Sequence, residues 1–442
     1  MSSDLVSAEA VPPPTHVTSR HYSREYADLA RRYSGESLDV SFRQLVGVLP
    51  ANEYTHGLYP YPARLLRHIP RFLLATDAIV DGVDLVFDPF VGSGTVLLEA
   101  QLRGIASIGV EQNPVAALVS RVKVRAEEVG DAETRLDEVL AAAKRCRRPT
   151  IPSTALGRWY APQALSALGR LLTVISEAAD LSAADREVAM LCLVLTARRV
   201  ATTDPRIPVP VRTQRNAAAT ASDVWEAWGA EATAMVAKLE RLPRRRPPAH
   251  VWTGDARDLD MWPSPEEART TLLLSSPPYG AAQKYVRSTS LEAGWLGHAP
   301  TGRTVHIEHG NIGREHLSAK DATLTTADVW SPSLRGLLEG IGRKDARRAA
   351  IYLTYFVDMQ AAFTNARTTG VKRIALVTGT NSVVGSTLHT SQHLAEIVQC
   401  LGYQRTLSVR DPIRGRTLLT ARRNGTPSPA EHIDVFEVNP DA

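Results

Sequence analysis

"VFDPFVGSGTVLLEAQLRG", residues 86–104, is the stretch of this 442-residue chain that decides its fold. Its apolar start predicts a strand, Gly92 and Gly94 predict a tight turn, and the residues from Thr95 onward predict a helix that closes on a glycine. A second predicted strand, "ASIGVE", follows at 106–111. This order is typical of nucleotide-type sites, in which glycines let a ligand approach the backbone and the helix start offers free N–H groups.

The rest of the chain continues the alternation of strands and helices, with one interruption. Strand-like segments such as "HVWTGD", "TLLLSS" and "RIALVTGT" alternate with helical ones such as "AAIYLTYFVDMQAAFTNA". This alternation predicts an α/β fold with a doubly wound, mostly parallel sheet. Residues 129–250 instead contain four helix-periodic segments and no convincing strand, between the linker-like segments "KRCRRPTIP" and "RLPRRRPPAH". We therefore expect a large helical insertion in the α/β domain.

The predicted organisation has four parts. An N-terminal tail and helical arm (1–50) precede the first half of the α/β domain (51–128). The helical insertion (129–250) separates this half from the second half (251–442), which contains a long loop-rich segment (281–340). The tail, "MSSDLVSAEAVPPPTH", lacks the basic start and apolar core of a signal peptide. No apolar run approaches the roughly 20 residues that a membrane helix needs, so no membrane association is expected.

The amino-acid composition indicates the cellular compartment and the class of binding partner. Cys146, Cys192 and Cys400 are far apart and in no metal-like pairing, which predicts a cytoplasmic protein without disulfides or a cysteine-based zinc site. Of 51 basic residues only seven are lysines, and the formal net charge is +4. The planar fork of arginine suits phosphates and guanine edges. A biased genomic base composition explains the same excess of arginine, so both interpretations stay open.

Two acids at strand ends narrow the class of ligand. Asp88 ends the first strand, where a carboxylate repels a diphosphate but can hold an ammonium group, and the glycine spacing matches neither a dinucleotide loop nor a P-loop. Glu111 ends the second strand, in position to bind both hydroxyls of a ribose. An ammonium, a ribose and no phosphate describe S-adenosylmethionine, whose adenine amino group would contact Asp255 in "GDAR". The alternatives, a helix cap at Asp88 and a surface acid at Glu111, stay open.

The segment "SSPPYG" (275–280) ends another predicted strand in a rigid corner with few donors. Parallel strands bring this corner to the sheet edge where the methyl donor would lie. An aromatic amine is a poor nucleophile because its lone pair is delocalised into the ring. The Ser276 hydroxyl and the Pro277 carbonyl can accept hydrogen bonds from both amine protons and so free that lone pair. Pro278 adds rigidity, and Tyr279 offers a flat face to a base swung out of its stack.

The motifs "DPFVGSGT" and "SSPPYG", in this order, resemble those of the DNA amino-methyltransferases, which act on cytosine N4 or adenine N6. "THGLYPYPARLLRHIPRFLL" (55–74) resembles the motif of this family that closes over the methionine end of the cofactor. The resemblance covers about 51–125 and 251–438. It implies a seven-stranded Rossmann-like methyltransferase sheet, S-adenosyl-L-methionine as cofactor and double-stranded DNA as partner. No metal is expected, because neither the cysteines nor the histidines have metal-like spacing.

The resemblance also implies roles for particular residues. The catalytic set is Ser276, Pro277, Pro278 and Tyr279. The cofactor-binding set is His56, Tyr61, Pro62, Ala63, Asp88, Pro89, Phe90, Gly92, Gly94, Thr95, Glu111, Gln112, Asn113, Asp255, Ala256 and Ser275.

Several alternatives for the substrate stay open. In this family a serine at the start of the second motif favours cytosine N4, whereas an aspartate or asparagine favours adenine N6. Carbon-5 methylation is excluded, because it needs a cysteine nucleophile beside the base and no cysteine adjoins the motif. An RNA base amino-methyltransferase and a catalytically idle DNA-binding subunit are the remaining rivals. Because such enzymes resemble partners of restriction or other host-defence systems, a cognate defence protein is the expected partner.

The part of the chain that reads DNA is the least defined. About 180 residues separate the two motifs, so the helical insertion is either a target-recognition region or a structural elaboration. The segment 281–340, which contains "YVRSTSLEAGWLG" and "HIEHGNIGREH", is the other candidate for target recognition. The candidate DNA contacts are Arg198, Arg199, Arg206, Arg212, Tyr285, Arg287 and Arg414. A solvated connection explains the arginines of 198–215 equally well. The histidines of "HIEHGNIGREH" (306–316) do not have the spacing of a metal site.

Overall fold

The computed structural model describes residues 19–50, 53–62, 64–125, 131–280, 285–413 and 430–439. The strands within these ranges are β1 (Leu38–Asp39), β2 (Leu85–Asp88), β3 (Ala106–Glu111), β4 (Ala249–Thr253), β5 (Thr271–Ser275), β6 (Arg373–Gly379), β7 (Asn381–Val383), β8 (Ser386–Leu388), β9 (Tyr403–Pro412) and β10 (Ala430–Val438). Eight of them form one sheet in the order β1-β9-β10-β6-β5-β2-β3-β4, and β7 pairs with β8 in a hairpin. The predicted doubly wound α/β sheet is confirmed, with the two-residue β1 as an eighth strand beyond the seven expected.

The order of the strands creates a site at one edge of the sheet. From β4 through β3, β2 and β5 to β6 the neighbours are parallel, whereas β10 runs antiparallel to β6 and β9. The chain moves outward from β2 to β4 and then returns to the other side of β2 as β5. This reversal makes the boundary between β2 and β5 the switch point, beyond which ligands of such sheets bind. Phe87 pairs with Leu273, so Asp88 and Ser275 end neighbouring strands at nearly the same level.

Helices cover both faces of the sheet. They are α1 (Ser19–Arg32), α2 (Phe42–Val46), α3 (His68–Leu74), α4 (Asp77–Val80), α5 (Thr95–Arg103), α6 (Pro114–Lys123), α7 (Ala132–Arg145), α8 (Pro162–Glu177), α9 (Ala183–Val200), α10 (Ala221–Leu239), α11 (Pro265–Ala268), α12 (Tyr285–Ser288), α13 (Ser290–Trp295), α14 (Val305–Gly310), α15 (Pro332–Gly342), α16 (Ala346–Thr369) and α17 (Thr390–Cys400). Among the described residues, none of these helices has the length and apolar character required to span a lipid bilayer.

The strand that leads to the catalytic motif is buried on both faces. Along β5, Leu272 and Leu274 pack into one hydrophobic core, while Leu273 packs into the core on the opposite face. Successive side chains of a strand point to opposite faces, so a continuous run of leucines is what a doubly covered parallel strand requires.

The helical insertion consists of α7, α8, α9 and α10. Helix α9 packs against α6 and α13, and the buried side chains of the insertion belong to the same core as one face of the sheet. Trp228 of α10 is fully buried, and its indole N–H donates to the Leu136 carbonyl at 3.2 Å. The insertion is therefore packed onto the sheet, and the domain boundaries drawn from the sequence stay predictions.

Two glycines let the turn after β2 pack tightly. Gly94 caps α5 with a φ of 77°, and a Cβ at this position would lie 3.2 Å from the Cβ of Ser120. A Cβ at Gly109 in β3 would lie 2.6 Å from a methyl group of Val91. The turn therefore lies directly on β3, where the Val91 N–H donates to the Val110 carbonyl at 3.1 Å.

The segment predicted to be loop-rich contains several short helices. Helix α12 has four residues, and α13 and α14 have six residues each. Trp295 of α13 is buried, and its indole N–H donates to the Tyr160 hydroxyl at 3.0 Å. Helices of one or two turns are too short to show a hydrophobic period, which is why the sequence pattern did not predict them.

Candidate active site

A cavity opens beyond the C-terminal ends of β2, β3 and β5, at the switch point of the sheet. Its wall includes the glycine-rich turn, the corner after β5 and the segment 308–316. The predicted site residues that line it are Tyr61, Asp88, Pro89, Phe90, Gly92, Thr95, Glu111, Gln112, Asn113, Asp255, Ala256, Ser276, Pro277, Pro278, Tyr279, Tyr285 and Arg287. Residues predicted for a cofactor and residues predicted for a base therefore surround one space.

Four other predicted cofactor residues that the structure describes do not line the cavity. Gly94 and Ser275 support the wall from behind, because Gly94 caps α5 and the Ser275 hydroxyl donates to Asp88. His56 and Pro62 belong to the preceding segment and do not line the cavity. Ala63 and Arg414 lie outside the described residues.

Asp88 is a buried carboxylate at the end of β2. Its Oδ1 accepts hydrogen bonds from the Ser275 hydroxyl at 2.5 Å and from the Phe90 N–H at 3.0 Å. Burial raises the pKa of Asp88 to about 7, and the two hydrogen bonds offset only part of that rise. Within the described ranges no cation pairs with Asp88. A cationic group of a ligand would supply the missing charge.

Glu111 ends β3 and fixes the backbone around the cavity. Its Oε2 accepts from the Gly92 N–H at 2.9 Å, and its Oε1 accepts from the Asn113 N–H at 2.7 Å. Burial raises the pKa of Glu111 to about 7, although the backbone hydrogen bonds act in the opposite direction. Each carboxylate oxygen keeps a second lone pair, so the group can accept two further hydrogen bonds from a pair of neighbouring hydroxyls.

Asp255, which follows β4, is oriented by an arginine. The Arg257 Nε donates to Asp255 Oδ1 at 3.0 Å, and its Nη2 donates to Oδ2 at 2.5 Å. The same guanidinium donates to Asp358 Oδ1 and to the Gly310 carbonyl, both at 2.7 Å. The sequence did not predict this network, because Asp358 lies 101 residues from Arg257 in the chain.

The corner after β5 is packed against α16. Gly280 closes the corner, and a Cβ at this position would lie 3.0 Å from the ring of Tyr352 and 3.1 Å from that of Tyr355. This close packing holds the backbone of the preceding residues in place. Ser276 and Tyr279 are partly exposed and line the cavity. The Ser276 hydroxyl and the neighbouring carbonyl are therefore available on a rigid support.

Three tyrosines give the cavity aromatic faces. Tyr61 and Tyr285 lie nearly parallel, with ring centroids 6.5 Å apart and an interplanar angle of 15°. Tyr285 forms a hydrogen bond with the backbone of Tyr279. Faces of this kind suit a planar ring such as a nucleobase.

His56, which the sequence predicted to contact the cofactor, lies in a buried ion-pair cluster. Its Nε2 is 2.8 Å from Glu99 Oε1, and Arg71 donates to both oxygens of Glu99 at 2.9 and 3.0 Å. Burial lowers the pKa of His56. Burial alone would raise the pKa of Glu99, but His56 and Arg71 lower it to about 2. Arg64, from the same segment, does line the cavity and was not predicted.

The segment 308–316 lies within the region expected to recognise DNA, but the sequence did not predict that it lines the same cavity as the cofactor and catalytic residues. A Cβ at Gly310 would lie 2.4 Å from Gln112 Nε2, and a Cβ at Gly313, whose φ is 82°, would lie 2.7 Å from the Tyr279 carbonyl oxygen. Arg314 anchors the segment through ion pairs with Asp321 and Asp358. The sequence feature that could have predicted this contact is the pair of glycines in a polar stretch. Each glycine permits close contact with a predicted site residue.

The histidines of this segment do not form a metal site. The rings of His309 and His316 stack with centroids 5.9 Å apart, and His316 Nε2 lies 3.3 Å from Glu308 Oε2. The described part of the chain contains no cluster of three or more side chains that could hold a metal ion.

The arginines predicted to contact DNA differ in their surroundings. Arg198 is held against Tyr59 and donates to the buried Glu292 at 2.8 Å. The other predicted arginines of the connection 198–215 are exposed: Arg199, Arg206 and Arg212. Arg199 forms a surface ion pair with Glu231 at 2.9 Å, and Arg206 forms one with Asp204 at 2.7 Å. Arg287 is exposed at the rim of the cavity. The predicted DNA contacts stay predictions, and among the described arginines of that set only Arg287 lines the cavity.

Two known proteins resemble parts of the chain, although no family model matches it. A 106-residue segment is 28% identical to the type II methyltransferase M.MjaII of Methanocaldococcus jannaschii and covers 24% of this chain and 19% of that protein. An 83-residue segment is 32% identical to the type II methyltransferase M.MvaI of Kocuria varians and covers 18% of each protein. The chain thus spans about a fifth of the length of these curated relatives. The local similarity to type II methyltransferases supports the resemblance carried by the two motifs.

Proposed function

We propose that this protein is an S-adenosylmethionine-dependent DNA methyltransferase that modifies the exocyclic amine of a base swung out of the duplex. Cytosine N4 is the proposed target. The observation that carries the proposal is that one cavity adjoins both the buried carboxylates after β2 and β3 and the Ser-Pro-Pro-Tyr corner after β5. The local similarity to two type II methyltransferases supports the same class.

The residues around the cavity fit the cofactor. Asp88 is a buried carboxylate suited to an ammonium, and Glu111 keeps lone pairs for two ribose hydroxyls. Asp255 is oriented by Arg257 to accept from an adenine amine. A Cβ at Gly92 would meet nothing closer than 3.9 Å, so a ligand can reach the backbone there. When bound, the cofactor supplies an electrophilic methyl group on a sulfonium.

The corner prepares the amine for methylation. The Ser276 hydroxyl and the Pro277 carbonyl accept hydrogen bonds from the two amine protons, which draws the nitrogen towards a tetrahedral shape and frees its lone pair. Tyr279 stacks on the base and holds the amine in line with the methyl group. No covalent bond between the protein and the base is needed, which is consistent with the absence of a cysteine in the motif.

The serine at the start of the motif favours cytosine. A serine hydroxyl is one acceptor on a short side chain, whereas the aspartate or asparagine of the adenine-type motif reaches further. Adenine N6 is the alternative target, since the hydroxyl can accept from either amine.

Methylation of unmodified DNA with a labelled donor, followed by digestion to nucleosides and mass spectrometry, tests the proposal. We expect labelled N4-methylcytosine with the natural protein and none with Ser276→Ala. Labelled N6-methyladenine would support a DNA amino-methyltransferase but show that adenine, not cytosine, is the target base. Label in RNA alone would reject DNA as the substrate. Donor binding without label in either nucleic acid would indicate an idle DNA-binding subunit.

We also propose that the methylation marks self DNA beside a restriction or other host-defence protein. Single-molecule sequencing of genomic DNA from cells with and without the gene would report the modified base and its sequence context. A fixed short sequence that loses its modification with the gene supports this role, and unchanged modification in both genomes contradicts it.

A further inference from the structure

Lys123, at the end of α6, is a buried ammonium that the proposed chemistry does not use. The residue is 1% exposed, and the Thr55 hydroxyl donates to its carbonyl at 2.8 Å. Its Nζ lies 3.5 Å from the Ser93 hydroxyl oxygen. Ser93 belongs to the glycine-rich turn and lines the cavity. The lysine therefore lies directly behind the wall of the candidate site.

No anion balances this ammonium in the described part of the chain. The charged neighbour that acts on Lys123 is Arg64, a second cation, which also lines the cavity. Burial lowers the pKa of Lys123 to about 7, and Arg64 lowers it further. An unpaired buried charge is unfavourable, and a ligand that provides the opposite charge would stabilise it.

The link through Ser93 gives the lysine a way to act on a ligand. Lys123 has only donors, so in this contact the Ser93 oxygen accepts. Ser93 can then donate its hydroxyl proton to another group. Because its oxygen accepts from a cation, the Ser93 hydroxyl becomes a stronger hydrogen-bond donor. Ser93 has no acceptor for that proton among the residues of the described ranges. An anion in the cavity would complete the chain from Lys123 through Ser93.

The cavity is thus polarised. Asp88 and Glu111 make one part of the wall acidic, while Arg64 and the turn in front of Lys123 make the adjoining part basic. An amino-acid moiety, which carries an ammonium and a carboxylate on one carbon, matches this arrangement of opposite charges.

We propose that Arg64, Ser93 and Lys123 form an anion subsite that receives the carboxylate of the methyl donor. Arg64 and Ser93 contact the carboxylate, and Lys123 is a positioning residue that acts through Ser93. The inference rests on the proposed function, because it assigns the amino-acid end of the same cofactor. It gives the cation buried behind the glycine-rich turn an anionic partner.

Binding of two ligands, measured by calorimetry, tests this subsite. One ligand is S-adenosylmethionine, and the other is its decarboxylated analogue, which keeps the ammonium, ribose and adenine. The natural protein should bind the intact donor about 10- to 100-fold more tightly than the analogue, because charged hydrogen bonds are lost with the carboxylate. Lys123→Met should weaken the intact donor about tenfold and leave the analogue unchanged. Lys144→Met, at an exposed position of α7, is the matched control and should change neither affinity.

Equal affinity of the natural protein for both ligands would overturn the proposed subsite. An equal loss of affinity for both ligands in Lys123→Met would also overturn it. If Lys123→Met does not fold, Ser93→Ala should show the same selective loss for the intact donor, and a loss shared by both ligands would overturn the proposal. Failure of the natural protein to bind either ligand would instead reject the cofactor assignment, so the two failures are distinguishable.

Discussion

Replacing Asp88 by asparagine should stabilise the protein in the absence of ligand, and the gain should grow with pH. The asparagine keeps the side-chain oxygen that accepts from Ser275 and from the Phe90 N–H. It removes only the charge, which burial makes unfavourable. A residue retained at a cost to stability is expected where it binds a ligand.

The magnitude follows from the pKa of the buried group. The pKa of Asp88 rises from 3.8 to about 7 on folding, so the folded protein holds a proton that the unfolded chain releases between these pH values. Stability therefore falls as pH rises through this window. A measurement that starts at pH 5 covers about two pH units of this window. At 1.36 kcal/mol per unit, the free energy of unfolding should fall by about 3 kcal/mol between pH 5 and a pH above 7.

Urea unfolding of the natural protein and of Asp88→Asn at pH 5 and pH 8 measures this difference. The gap in the free energy of unfolding should widen by about 3 kcal/mol in favour of Asp88→Asn at the higher pH. Asp223→Asn is the control that should show no pH dependence in this window. The exposed Asp223 has a lowered pKa because it accepts hydrogen bonds from the backbone and side chain of Thr220, so its contribution to stability is fully present at both pH 5 and pH 8 and is lost only in stronger acid.

A difference in unfolding free energy between Asp88→Asn and the natural protein that stays constant from pH 5 to pH 8 would show that Asp88 does not have a raised pKa in the folded protein. The same pair of proteins also reports binding. Saturating S-adenosylmethionine should stabilise the natural protein by mass action and raise its melting temperature. Asp88→Asn should lose most of this shift, since the amide cannot pair with an ammonium as a carboxylate does. A full shift in Asp88→Asn would remove Asp88 from the cofactor site.

Four further substitutions test separate parts of the account. Glu111→Gln turns one of the two oxygens that would accept from the ribose hydroxyls into an amide donor, so calorimetry should show about tenfold lower donor affinity; an unchanged affinity would contradict the ribose contact. Ser276→Ala should lower kcat by about 100-fold while calorimetry shows unchanged donor affinity, and full turnover would remove it from the active site. Tyr279→Ala should weaken productive binding of the base by about tenfold or more in kcat/KM, without loss of donor affinity, and an unchanged kcat/KM would argue against stacking. Val384→Gly should raise stability by about 1 kcal/mol, because Val384 has a φ of 49° at an exposed hairpin tip; a lower melting temperature would contradict strain there.

Much of the fold could be predicted because its signals are local. The strand, glycine turn and helix of 86–104 occur as expected, with the helix starting at Thr95 and ending before Gly104. The leucine run of β5 is buried on both faces, as its composition requires. Both motifs were placed at strand ends by the rule that parallel strands share a C-terminal edge, and one cavity joins them.

The parts that escaped prediction depend on contacts between distant residues. The network of Arg257, Asp358 and Arg314 joins three separate segments, and no local pattern marks it. The position of His56 beside Glu99 follows from the packing of α5 against the preceding segment, which the motif alone does not specify. Lys123 reads as an ordinary last-turn lysine of α6, and only its burial behind the glycine-rich turn distinguishes it.

A crystal structure with the demethylated cofactor product bound would show directly whether the methyl donor and the base share this cavity. We expect the ribose on Glu111, the amino group on Asp88 and the sulfur facing the corner formed by Ser276 and Tyr279. Density for the ligand in another part of the molecule, remote from that corner, would contradict the account.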